Sequence, residues 1–128
     1  MGFWSWLFGG QKSAKVKIDW LEIGGRQRQI EAMLTQKNQL VAKQSVIEFD
    51  KLIDSIMKQL VAGDTFADRL KALRNRFPKE AYNQLWKAHI KRNELVHDTG
   101  SYVADYELGN YIRTYQGVIS VLRSISLR

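Results

Sequence analysis

From Arg26 to about Val61 the chain runs without a proline or a glycine. Over that stretch Ile30, Met33, Leu34, Val41, Phe49, Leu52, Ile53, Ile56 and Leu60 recur at the three-to-four-residue spacing of an amphipathic helix. A segment of this length and period has few choices other than helix. It predicts one long helix, or two with a bend near Gln44–Ser45, with Lys37, Lys43, Glu48, Asp50 and Lys58 left for solvent. The first half is polar and glutamine-rich, so its apolar stripe is thin. Such a half is expected to project from a bundle or to pair with a second chain.

The rest of the chain follows the same logic. Ala62-Gly63-Asp64 reads as a turn, and Thr65 with Asp68 three residues on has the form of a capping box. Phe66, Leu70, Leu73 and Phe77 then mark a helix whose other side carries Arg69, Lys71, Arg74 and Arg76. Pro78, the one proline in 128 residues, ends it and is tolerated in the first turn of the next helix. That helix is expected from Lys79 to about His97, stopped by Asp98-Thr99-Gly100. A last helix is expected from about Val103 to Leu127, striped by Leu108, Tyr111, Ile112, Tyr115, Val118, Ile119, Leu122 and Ile125. Four helices with short joints predict an all-α, mostly antiparallel bundle over residues 26–128.

Residues 1–25 read as an N-terminal arm. Val16, Ile18 and Trp20 alternate with Lys17 and Asp19 at a strand-like period, without an obvious strand partner, so the arm is expected to be extended or irregular and to end at Gly24-Gly25. The run Phe3 to Phe8 is apolar and holds Trp4 and Trp6, but is far too short to span a bilayer. It fits a membrane interface or a hydrophobic groove on a protein, and Lys12, Lys15 and Lys17 add attraction to an anionic surface. The expected location is cytoplasmic, with peripheral membrane contact through Phe3–Phe8 as an alternative.

Composition narrows the chemistry. The chain has no cysteine, which excludes disulfides and thiolate metal sites. His89 and His97 have no zinc spacing, and no cofactor or metal is expected. The net charge of +7 favours an anionic partner such as nucleic acid, although basic balance also serves solubility alone. No glycine-rich phosphate loop, nucleophile elbow or cysteine nucleophile is present.

On the third helix Ala81, Leu85, Ala88 and Leu95 share one face, and Arg92 falls in the middle of it. A guanidinium there either escapes to solvent along its stem or is held by a partner, for which Glu48, Asp50 and Asp54 are candidates. A second line runs Trp86, Ile90, Asn93, His97 and suggests a contact surface for another subunit. His89 lies beside the apolar face and reads as structural. A histidine at a helix C-terminus also suits the helix dipole without further purpose.

The string Arg92-Asn93-Glu94-Leu95-Val96-His97 is an R-N-x3-H pattern late in the third main helix. It resembles the signature of the HEPN family, and the resemblance extends over roughly residues 26–127. It implies an antiparallel helical bundle of four to five helices and metal-independent cleavage of RNA, usually as a homodimer whose two motifs face one cleft. By position, His97 would be the general acid/base near the ribose 2′-hydroxyl, Arg92 would clamp the scissile phosphate, and Asn93 would orient either. The family also includes members that only bind RNA or proteins. Such domains often occur in toxin–antitoxin and phage-defence systems, so an antitoxin or a larger defence protein is an expected partner. One branch has a tyrosine two residues after the histidine, where this chain has Thr99; Tyr102 is the nearest substitute.

Arg69, Arg74, Arg76, Lys91 and Tyr102 are the candidate RNA contacts outside the motif, each also explicable as a solvated surface residue. Tyr106, Tyr111 and Tyr115 offer rings for stacking but fit core and rim positions better. Two Arg92–His97 pairs facing a shared basic cleft would favour a nuclease. Arg92 held in an internal ion pair, with His97 away from any cleft, would favour a non-catalytic interaction module.

Overall fold

The computed structural model describes residues 17–98, 100 and 102–128. All regular structure among them is helical: α1 (Trp20–Met33), α2 (Gln39–Leu60), α3 (Phe66–Ala72), α4 (Lys79–His97) and α5 (Asp105–Ser126), with 3₁₀ turns at Leu34–Gln36 and Arg74–Arg76. No described helix is long and apolar enough to cross a membrane.

Helix α1 begins ahead of the glycine pair. The Asp19 carboxylate caps it by accepting from the Glu22 amide at 3.1 Å, and the helix continues through Gly24 and Gly25. The expected extended lead-in is therefore helical from Trp20 onward. Two glycines weaken a helix, but Ile23 and Ile30 are buried and the Trp20 indole donates to the Ser126 hydroxyl at 3.2 Å. Tertiary burial outweighs local propensity here. Helix α1 does not project; it packs along α2, and Glu31 accepts from both Gln27 and Gln116.

The break between the first two helices lies at 34–38, not at Gln44–Ser45. Lys37 adopts a left-handed conformation at φ 50°. Asn38 then caps α2, its side-chain oxygen accepting from the amides of Leu40 at 2.8 Å and Val41 at 3.3 Å. Helix α2 runs without a break through Ser45, whose hydroxyl donates to the Val41 carbonyl at 3.0 Å.

Helix α2 is the centre of the molecule, packing against α1, α3, α4 and α5. Val46, Phe49, Leu52, Ile53, Ile56 and Met57 are fully buried, facing Leu85 and Leu95 of α4 and Leu108, Tyr115 and Leu122 of α5. Asp50 and Lys43, read from the sequence as solvent-facing, are also buried. The side chain of Gln39 reaches the Val103 carbonyl, and Asp50 meets Tyr115 one long stretch further on, so α2 and α5 run in the same direction. Trp20 meeting Ser126, and Gln116 meeting Glu31, make α1 antiparallel to α5.

Helix α3 starts as the sequence predicts, with the Thr65 hydroxyl accepting from the Asp68 amide at 3.0 Å. Pro78 precedes the first turn of α4, which ends at His97. The end of α1, the start of α2, the C-terminus of α4 and the start of α5 thus share one end of the molecule. Arg74, Arg76 and the start of α4 lie at the other.

Candidate functional site

Asp50 sits on the same inward line as Val46, Ile53 and Met57, at i, i+4, i+7 and i+11. It brings a carboxylate into the core, only 2% exposed, and three side chains from two other helices converge on it. The Tyr115 hydroxyl of α5 donates to Oδ2 at 3.0 Å. His89 Nδ1 of α4 lies 3.0 Å from the same oxygen. An ionised carboxylate only accepts, so this contact assigns the proton to Nδ1. Arg92 Nε of α4 stands 3.6 Å from Oδ1, within ion-pair reach but without a hydrogen bond of its own.

Packing fixes the members of this hub. His89 stacks on Phe66 of α3 with ring centroids 3.8 Å apart and planes 1° apart. Tyr115 stacks on Phe49 at 5.9 Å. Burial, and then the Asp50 charge, push the Tyr115 hydroxyl far above its ordinary range, so it remains a proton donor.

Arg92 bridges this interior to the surface. Its side chain is 27% exposed, and Nη1 donates to the Asn93 side-chain oxygen at 3.0 Å. The sequence expectation of either an escaping or a held arginine resolves as both, with the inner edge facing Asp50 and the rest reaching solvent. Asn93 and His97 are exposed one helical turn apart on the same face of α4. Among the described residues His97 makes no hydrogen bond or ion pair. Ile90, on the same line, is 54% exposed.

The other candidate RNA contacts scatter. Arg69 is not on a solvated face: it is 5% exposed, with Nε donating to Asp54 Oδ1 at 2.9 Å, Nη2 to Oδ2 at 3.1 Å, and Nη1 to the Gly63 carbonyl at 2.6 Å. That bidentate clamp leaves it nothing to offer a phosphate. Arg74 lies over the Tyr82 ring, and Arg76 donates to the Ile125 carbonyl at 3.3 Å. Both are exposed but sit near the start of α4, about 27 Å along the helix from His97 at 1.5 Å per residue. Lys91 is near the motif, but its ammonium donates to Glu94 at 3.1 Å, and this bond raises its pKa. Tyr102 is 83% exposed in the connection after α4. Thr99 and the apolar run Phe3–Phe8 lie outside the described residues.

Compared with protein-family models, with curated proteins and with solved structures, the chain matches none.

Three hollows among the described residues do not coincide with the motif. One, about 840 Å³, lies between the α1–α2 turn and α5, with Leu34, Lys37, Asp105, Ile112 and Arg113 in its lining. A second, about 410 Å³, lies between α4 and α5, and a third, about 280 Å³, beside Arg74 and Tyr82. Neither Arg92 nor His97 lines any of the three. No group of three histidine, aspartate or glutamate side chains among the described residues is placed to hold a metal ion.

Sequence reading missed the hub as a unit. The signal was present in each helix separately: Asp50, Arg92 and Tyr115 all fall on inward apolar stripes. What the sequence withholds is that the three stripes meet at one level.

Proposed function

We propose that this chain is a HEPN-like RNA-acting domain, a four-helix bundle with the short α3 inserted, which cleaves RNA without a metal as a homodimer. The observation that carries this reading is that both ends of the motif reach solvent on α4, Arg92 in part and His97 as an exposed residue, despite the hold of Asp50 on Arg92. The inner edge of Arg92 is drawn to buried Asp50 and its Nη1 is tied to Asn93, while part of the side chain remains open to solvent. A guanidinium already held in place loses little freedom on meeting a phosphate, and its planar fork suits one. His97, one turn beyond Asn93, is exposed and unpaired among the described residues.

In this reaction the RNA supplies its own nucleophile. A His97 imidazole takes the proton from a ribose 2′-hydroxyl, and the 2′-oxygen attacks the adjacent phosphorus. Arg92 stabilises the added negative charge on the phosphoryl oxygens. The bond from phosphorus to the 5′-oxygen breaks, and that oxygen takes a proton from the His97 of the second copy. The products are a 2′,3′-cyclic phosphate and a 5′-hydroxyl. The line of exposed Ile90, Asn93 and His97 on α4, with half-buried Trp86 at its start, offers the contact that would bring the second copy's motif alongside. A cytoplasmic toxin or defence component, held by an antitoxin or a larger defence protein, belongs to the same reading. Tethering to a membrane or partner through Phe3–Phe8 belongs instead to a non-catalytic module.

The Arg92–Asp50 ion pair and the absence of His97 from the hollows favour a second reading, a non-catalytic RNA- or protein-binding module. Incubating a mixed RNA pool in EDTA with the wild type, Arg92→Ala and His97→Ala separates the two. The nuclease reading expects fragments ending in cyclic phosphate from the wild type and intact RNA from both folded variants. Inert wild type, or equal cutting by all three, supports the module instead.

A further inference from the structure

The groove between α4 and α5 has a lining that the motif does not use. Gln84 and Lys87 of α4 face Asn110, Tyr111, Arg113 and Thr114 of α5 around about 410 Å³, inside the range of roughly 300–1,000 Å³ typical of small-ligand sites. All six side chains can donate hydrogen bonds, two are cationic, and none is a carboxylate. Lys87 is exposed and makes no ion pair among the described residues. The Arg113 guanidinium donates to the Asn110 side-chain oxygen on its own helix, which steadies it at the rim. Tyr111 is half-buried, and burial pushes its hydroxyl above the ordinary phenol range, so it stays a donor.

A wall of donors and cations without an acid matches a phosphodiester, whose free oxygens accept hydrogen bonds and carry the charge. A half-buried tyrosine ring adds a face for a base. Helix α4 connects this groove to the motif: Lys87 and Arg92 are five residues apart, about 7.5 Å along the axis. Glu94 and Glu107 act on both Lys91 and Tyr111 but do not line the groove. They leave Lys87 and Arg113 as the cations available to a strand.

We propose that the α4–α5 groove is a binding track for single-stranded RNA, with Lys87 and Arg113 on its phosphates and Tyr111 against a base. The proposal rests on the RNA-acting reading and extends the substrate contact beyond Arg92 and His97. Lys87 and Arg113 take the part that Arg69, Arg74 and Arg76 were expected to play.

The test is binding of a short fluorescent oligouridylate to the full His97→Ala chain, which prevents cleavage, over a series of salt concentrations. Adding Lys87→Ala and Arg113→Gln together is expected to weaken binding about tenfold at low salt. It is also expected to flatten the slope of log affinity against log salt by about 1.4, two contacts at about 0.7 each. Both residues are exposed, so the fold is kept, and an unchanged helical circular dichroism spectrum checks it. A control pair at the far end, Arg74→Gln with Lys79→Ala, is expected to leave the slope unchanged. Equal binding by the groove variant, or an equal loss in the control pair, overturns the track; it leaves the functional reading in place if the wild type still cuts RNA. A His97→Ala chain that binds no RNA at any salt overturns both.

Discussion

Asp50 carries more of the account than any other side chain. It is the one carboxylate facing Arg92 Nε, and it also accepts from Tyr115 and His89. Removing its charge leaves the inner edge of Arg92 without a partner, and breaking a pair of this kind costs several kcal/mol. Because Arg92 is partly exposed, Asp50→Asn is expected to destabilise the fold by about 2–3 kcal/mol, read as a lower urea midpoint at unchanged slope. Tyr115 gives a pH signature. Its pKa is raised above the ordinary value of 10.0, so the neutral hydroxyl is the form that the fold prefers. The associated stability is fully present below that value. As pH rises past it, the unfolded chain releases a proton that the folded chain keeps, and stability falls by about 1.4 kcal/mol per pH unit. Lys91 and Tyr111 are raised as well and act in the same direction, so the share belonging to Tyr115 is the part of the alkaline slope that Tyr115→Phe removes. A full slope in that variant would show that the hydroxyl is not held as described. Asp50 was legible only as an anomaly, an acid on the line Val46–Ile53–Met57. A one-dimensional reading placed it both among solvent residues and among the partners for Arg92, because charge and periodicity gave opposite answers.

At the scale of elements, α4 and α5 were readable because their apolar stripes are long and Pro78 and Asp98 punctuate them. Helix α1 was not. Its glycine pair has the chemistry of a joint, and only tertiary contacts at Trp20, Ile23 and Ile30 make it helical. Nothing lies within 4 Å of a Cβ placed on Gly25. Gly25→Ala is therefore expected to raise stability by about 0.5–1 kcal/mol, seen as a higher melting temperature; a loss would mean that the segment is not helical there. The break at 34–38 was hidden because Asn38 lacks the glutamate or glutamine three residues on that completes a capping box, having Val41 instead. Gly63 is a different case. Its φ is 157°, and an added Cβ would stand 2.8 Å from Arg69 Cγ. Gly63→Ala is expected to push Arg69 out of its clamp on Asp54 and lower stability by roughly 2 kcal/mol, as measured by denaturant unfolding. Stability equal to wild type would show that the clamp can move without cost.

At the scale of the molecule, the motif sits at one end of α4, the scattered arginines at the other, and the buried hub between them. Helical class followed from periodicity, because an apolar stripe at helical spacing has only one way to be buried. Convergence of Asp50, His89, Arg92 and Tyr115 did not, because it depends on how three helices are set side by side, which no local pattern encodes. The central claim is that Arg92, held from inside, and His97, free outside, form an RNA-cleaving pair. The most direct test is the initial rate of RNA cleavage in EDTA by the folded His97→Ala variant against wild type. The account predicts a loss of about 10²–10⁴-fold, the usual contribution of a general acid–base group, with an unchanged melting temperature. Equal rates, or no cleavage by the wild type, would contradict it.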